Sequence, residues 1–266
     1  MGYPTRRASR LHISAVLLVL SACTPPQNPV SINFASTWQG QPIECGDAQS
    51  HLSDLRFYVS DVVVFDSTSA EHDLQLTPDS RWQHANVALV DLENGEGACA
   101  NGSNETRSKI TGTTVATKIT GFRFTVGIPF EQNHANPLIA EAPLNDAAMH
   151  WHWRSGYKFL RAGIEIEDSS FWVHLGSTGC QGTVQNITGC GAPNRVTVVL
   201  KEFSPDVDSV EISLSDLFMG VDFAGQKRGD CSSSPAEESC STVFSSLGLP
   251  FGDQPEESQS VFRVLQ

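Results

Sequence analysis

The chain has 266 residues, with 17 Lys and Arg against 30 Asp and Glu, for a net charge of −13. A chain this acidic is repelled by phosphate backbones, which excludes nucleic acid as a partner. Its length suffices for one large domain with its own core, and no internal repeat or disorder-type composition interrupts it.

The first 22 residues read as a leader. Arg6, Arg7 and Arg10 form a positive start, and Ile13 to Leu20 is an apolar run too short to span a bilayer. It ends in Leu20-Ser21-Ala22-Cys23, which resembles a bacterial lipobox. Cleavage would then fall before Cys23, which would carry the acyl chains; the other reading is an ordinary secretory signal. Thr24, by the same resemblance, points to the outer membrane. Residues 1–22 are thus expected as signal, 23–30 as a lipidated Cys with a Pro-rich tether, and 31–266 as the folded domain. The expected product is an outer-membrane lipoprotein facing the periplasm or the surface.

Beyond the tether, strand signals dominate. Leu55–Phe65 is rich in β-branched and aromatic residues, and similar runs lie at Asn86–Leu92, Thr113–Val126, Tyr157–Glu167, Ser170–Leu175, Val196–Phe203 and Val210–Leu214. Gly-, Asn- and Ser-rich intervals at Asn94–Ser108, Gln132–Leu144, Gly176–Arg195 and Ala224–Cys240 read as loops. Helical periodicity is confined to Ser213–Met219 and Ser241–Leu247. The expected fold is all-β: an antiparallel β-sandwich with long loops, stapled by disulfides.

Setting Cys23 aside leaves an even number of cysteines, as in a secreted chain with paired thiols. Cys180 with Cys190 and Cys231 with Cys240 each close a short loop, leaving Cys45 for Cys99. The absence of any C-x-x-C pair argues against a thiolate metal site.

The stretch His150-Trp151-His152-Trp153 is the most informative. In a regular strand the two imidazoles share one face, and Met149, Trp151 and Trp153 share the other. The alternative is an ordinary amphipathic strand. His134 lies in a loop leading to this stretch, and His174 ends the apolar strand Phe171–His174 before a Gly-rich loop; either could be a hydrogen-bonded structural residue. An imidazole-rich donor set suits copper or zinc better than calcium or magnesium. Trp151 and His152 can enter one site only through a bulge. The order of expected ligands is therefore His134, His174, His152 and then His150. Asp54 and Asp61 read as solvated charges or strand-end caps. Neither a G-x-S-x-G elbow nor H-E-x-x-H is present, and no positioned carboxylate base accompanies the histidines, so no enzyme is expected.

Taken in order, DLRFYVSDVVV, LTPDSRWQ, VALVDLENGEGAC, GFRFTVGIPFEQNHANP, MHWHWRSGYKFLR, VHLGSTGC and GCGAPNRV resemble the metallo-mystery pair four-cysteine family, the MbnP-like proteins, over nearly the whole domain. The resemblance implies a copper-binding protein, with monovalent copper, in copper homeostasis. It also implies a MauG-like dihaem c-type peroxidase as partner, oxidising a tryptophan of a W-x-W motif. That motif falls on Trp151-His152-Trp153, with Trp151 the residue converted to kynurenine. The family's four cysteines fall on Cys45, Cys99, Cys180 and Cys190, and Cys231 and Cys240 sit where many relatives have a further pair. Histidines at 150 and 152 depart from the residues common in relatives. Trp153 is the expected electron relay to Trp151, and Trp172 a weaker one. The competing reading is a metal-free surface β-sandwich that binds protein or carbohydrate.

Overall fold

The computed structural model describes residues 2, 25–45, 52–100, 102–223 and 228–266. The predicted leader apart from Gly2, and Cys23, lie outside them. Two sheets, of six and ten strands, face each other as a sandwich, and a separate two-stranded ribbon stands at one end. Most pairings are antiparallel; Asn28–Trp38 with Ser209–Ser213 and Ser169–Gly176 with Arg228–Cys231 are parallel. Among the described residues no helix is long and apolar enough to cross a membrane.

The run read as Leu55–Phe65 is the organising strand, Leu52–Asp66. A register shift between Ser60 and Val63 centres on Asp61, whose φ is +52°. This bulge lets one strand serve two sets of neighbours. One edge passes from Gly156–Ile166 to Ile119–Val126, and the other from Val87–Asp91 to Glu71–Asp73.

The inner faces of the two sheets meet through phenylalanines. Phe34 of the smaller sheet lies edge-on to Phe57 and Phe124 of the larger, at 5.5 and 5.9 Å between ring centres. Phe262 closes the group at 5.6 and 5.8 Å from the same two rings. Edge-to-face pairs of this kind add about 0.5–1.5 kcal/mol each beyond simple burial.

Leu52–Ser60 is buried at every position because its other face is covered as well. There Tyr58, Val87, Leu89, Ile128, Met149, Tyr157 and Phe159 form a second apolar cluster with Leu144. The Tyr58 hydroxyl donates to the Pro143 carbonyl at 3.1 Å and the Tyr157 hydroxyl to the Leu144 carbonyl at 2.5 Å. Two phenols thus pin the loop that carries His134.

The three disulfides form as expected: Cys45–Cys99, Cys180–Cys190 and Cys231–Cys240. Of the three short α-helices among the described residues, Leu214–Leu217 and Ser241–Ser246 fall inside the predicted spans and Phe130–Asn133 lies outside them. Several boundaries differ from the sequence reading. The first strand starts at Asn28, so the last three residues of the expected tether are paired with Gly112–Thr114. Thr113–Val126 is two strands, Lys109–Thr114 and Ile119–Val126. The expected loop Gly176–Arg195 contains the ribbon Thr178–Thr183 and Asn186–Ala192.

Candidate metal site

The site is built on the outer face of the ten-stranded sheet. His150–His152 forms a short strand against Gly156 and Tyr157, with a register slip between the two histidines. The slip interrupts the strict alternation of a regular strand and separates the imidazoles' partners. The His150 ring stands edge-on to Tyr157 at 5.2 Å. His152 is exposed, accepts the Arg154 backbone N–H at 3.3 Å and lies 5.5 Å from the Trp153 ring. The Arg154 guanidinium caps Trp153 at 5.0 Å.

Trp151 turns instead toward the strand Ser169–Gly176. Its ring is edge-on to His174, 6.3 Å between centres, and Trp172 lies 6.2 Å from His174 on another side. Two glycines make room for this row of rings. A Cβ at Gly176 would lie 3.3 Å from Trp151 Cε3 and 2.6 Å from the Tyr157 carbonyl oxygen. One at Gly163 would lie 2.6 Å from Trp172 Cζ3. The continuous ring contacts therefore run Trp172, His174, Trp151; Trp153 contacts His152 and Arg154.

His174 sits across the ladder from Arg161. Burial, with the positive charges of Arg161 and Lys158, pulls its pKa down to about 4, so the ring is neutral at physiological pH. Arg161 in turn pairs with Asp54 at 2.8 Å, and Asp54 with Arg56 at 2.8 Å; Arg56 lies 3.6 Å from Glu93. Asp54, Arg56 and Glu93 are all at most 4% exposed. Asp54 is thus a buried member of an ion network rather than the solvated charge read from sequence. Asp61 does sit exposed on its bulge, paired with Arg195.

His134 follows the helical turn Phe130–Asn133. Its position is set by Asn133, which is 1% exposed. The Asn133 amide donates to the Ser155 carbonyl at 3.1 Å and to Ser177 Oγ at 3.4 Å, while its Oδ1 accepts the Tyr157 N–H at 3.0 Å. One side chain thereby joins the His134 loop, the turn after His152 and the strand end after His174. Gly156 makes this approach feasible: its φ is +80°, and any Cβ there would collide with the Asn133 carbonyl. The His134 ring is edge-on to Phe130 at 5.3 Å. Its Nδ1 is buried without a well-formed hydrogen bond, the Trp153 main chain being a weak partner, and burial lowers its pKa.

Among the described residues, one group of three His, Cys, Asp or Glu donor atoms lies within 4.8 Å of one another: His134 with the sulfurs of Cys180 and Cys190. His174 and His152 belong to no such triple. The structure therefore brings His174 to Trp151, ties His134 to the same hairpin through Asn133, and leaves His152 at the rim. Asn133 was not singled out from the sequence, nor was the contact of Gly176 with Trp151. An Asn before His134 carries no signal until the loop is seen to cross the turn, whereas Gly156 with Ser155 reads from sequence as a turn after the tryptophans. A cavity of about 1480 Å³ lies elsewhere, along Asn28–Ser31, Lys118–Thr120 and Lys201–Asp206, and shares no residue with this group.

Three comparisons bear on the chain. The family model MbnP matches residues 27–234. A solved structure, MbnP from Methylosinus trichosporium, superposes with a TM-score of 0.75 at 24% identity, covering 90% of this chain and 98% of that one. At that identity the likeness speaks for the fold. No curated protein matches.

Proposed function

The chain belongs to the MbnP family, and on that premise we propose that it is a copper-binding lipoprotein of copper homeostasis, anchored through Cys23 at the outer membrane. In this reading it is the substrate of an enzyme rather than an enzyme. A partner dihaem c-type peroxidase opens the Trp151 indole to kynurenine, and the altered side chain completes a site with His174 and His134, with His152 in reserve at the rim.

The observation that carries this reading is the seat of Trp151, held edge-on to a neutral imidazole and against the bare backbone of Gly176. An intact indole offers only an N–H donor there. Opened, it presents an aryl amine and a ketone on the side of His174. The His174 ring is held neutral, and His134 Nδ1 is buried without a well-formed hydrogen bond. Both are therefore available as ligands, a donor chemistry that fits monovalent copper. Such an ion would supply the affinity that draws these side chains together. Arg161, paired with Asp54, keeps a positive charge beside His174 and so disfavours its protonation. Asn133 fixes the approach of His134 to the hairpin.

The test is co-expression with the partner peroxidase, followed by the mass of the Trp151 peptide and the copper content of the intact protein. Kynurenine at 151 with one bound copper is expected. Trp151→Phe should lower copper affinity by at least tenfold while leaving the fold intact. Unmodified Trp151 with no copper, beside an active peroxidase, would leave a metal-free surface module.

A further inference from the structure

The three disulfides differ in what surrounds them. Cys99, Cys231 and Cys240 are fully buried and Cys45 nearly so. Cys180–Cys190 instead bridges the ribbon, with Cys190 half-buried among glycines. Cys190 is thus the one half-cystine among the described residues that is not buried, and the sulfur that an incoming thiolate reaches first. Behind it stands His134, whose Nε2 lies 3.7 Å from Cys190 Sγ.

We propose that Cys180, Cys190 and His134 form a thiol-gated metal site, closed while the disulfide stands and opened by its reduction. This goes beyond the copper reading: it needs no change at Trp151, although His134 is shared. A dithiol reductant, as thiolate, attacks Cys190 Sγ and forms a mixed disulfide, and Cys180 leaves as thiolate. The second thiol of the reductant then displaces Cys190, so that the reductant ends as a disulfide and the protein holds two thiols. Binding of a soft or borderline cation releases the thiol protons and gives a two-sulfur, one-nitrogen donor set.

The local frame keeps these donors together after the S–S bond is cut. Cys180 and Cys190 are direct cross-strand partners, flanked by the pairs Thr178 with Ala192 and Gln181 with Gly189. The base of the ribbon is held by the Ser177 hydroxyl donating to the Pro193 carbonyl at 3.0 Å. The Asn194 amide adds a bond to the Gly176 carbonyl at 2.8 Å. Asn133 fixes the His134 loop independently of either sulfur.

Anaerobic treatment of the intact mature protein with limiting dithiol, with alkylation mapping of each cysteine, tests the first half of the proposal. Cys180 and Cys190 should open before the other four cysteines. Titration with Cd(II) tests the second half. We expect one cadmium per chain, a thiolate-to-cadmium absorption band, and a loss of affinity of at least tenfold in His134→Ala. Trp151→Phe should bind cadmium as the parent does, even where it loses copper, which separates this site from the copper reading. Simultaneous opening of all three disulfides, absence of the band, or binding indifferent to His134 would each overturn the proposal. Retention of the far-UV circular dichroism of the parent after reduction is the control for folding. Its loss on opening this pair alone would show the bond to be structural and would equally overturn the gate.

Discussion

The two faces of the ten-stranded sheet are made by the same strands and follow different rules. Leu55, Phe57 and Val59 point inward with Leu160, Ala162 and Ile164 and with Phe171, Val173 and Leu175, all members of the main apolar core. The neighbouring residues Asp54, Arg56, Arg161, Trp172 and His174 point outward and carry charges, indoles and an imidazole. One residue step along a strand separates stability from chemistry. A polar group placed among these side chains would find few hydrogen-bond partners. The outer face can keep buried ions because each has a partner and a covering loop supplies carbonyls, as Ala148 does to Lys158 and Arg161.

Substitutions can break this contrast one face at a time. The largest expected loss is on the inner face: Phe57→Ala should cost about 3–5 kcal/mol in denaturant unfolding, with copper stoichiometry unchanged in the molecules that remain folded. On the outer face, Arg56→Met removes the partner that Asp54 and Glu93 share. It should cost roughly 3 kcal/mol, and a smaller loss would mean that Arg161 alone satisfies Asp54. Gly156→Ala should cost about 1–3 kcal/mol through its left-handed backbone and, because the methyl meets Asn133, should weaken copper binding more than it lowers the melting temperature.

The outer face should also show a pH slope. Burial, and then the Glu93 carboxylate, push the Asp91 pKa up to about 8 from the ordinary 3.8. A raised folded-state pKa means that the folded protein holds this proton more tightly than the unfolded chain. Its stabilising contribution is full below about pH 4 and is lost as pH rises to about 8. Unfolding midpoints measured across that range should fall with pH, and Asp91→Asn should flatten the slope. An unchanged slope in the variant would place the titration at another group.

The inner face was legible in the sequence because burial on one side writes itself as alternation and β-branched runs. Leu55–Phe65 and Val196–Phe203 were found for that reason. Asn28–Trp38 was missed since Asn28, Pro29 and Ser31 mask its pattern, and the ribbon Thr178–Ala192 because its glycines read as a loop. The pairing of the cysteines followed from loop length. The outer face was legible in its residue types, His134, Trp151 and His174, but not in its connections. Nothing local to Asp54 says that Arg56 and Arg161 will close over it, and nothing near Asn133 says that its amide will bridge three segments. Those facts belong to long-range packing, which a residue's sequence neighbours do not encode.

The strand that opens the domain has a further consequence, for the order of assembly. Asn28–Trp38 lies inside the six-stranded sheet, where its register partners are Lys109–Thr114 on one side and Ser209–Ser213 on the other. Ser209–Ser213 is itself completed by Phe262–Leu265 at the far end of the chain. A ribosome delivers the first of these strands long before the last, and loop closure over such separations is slow. During that interval Asn28–Trp38 has one unsatisfied edge, which invites pairing with another chain.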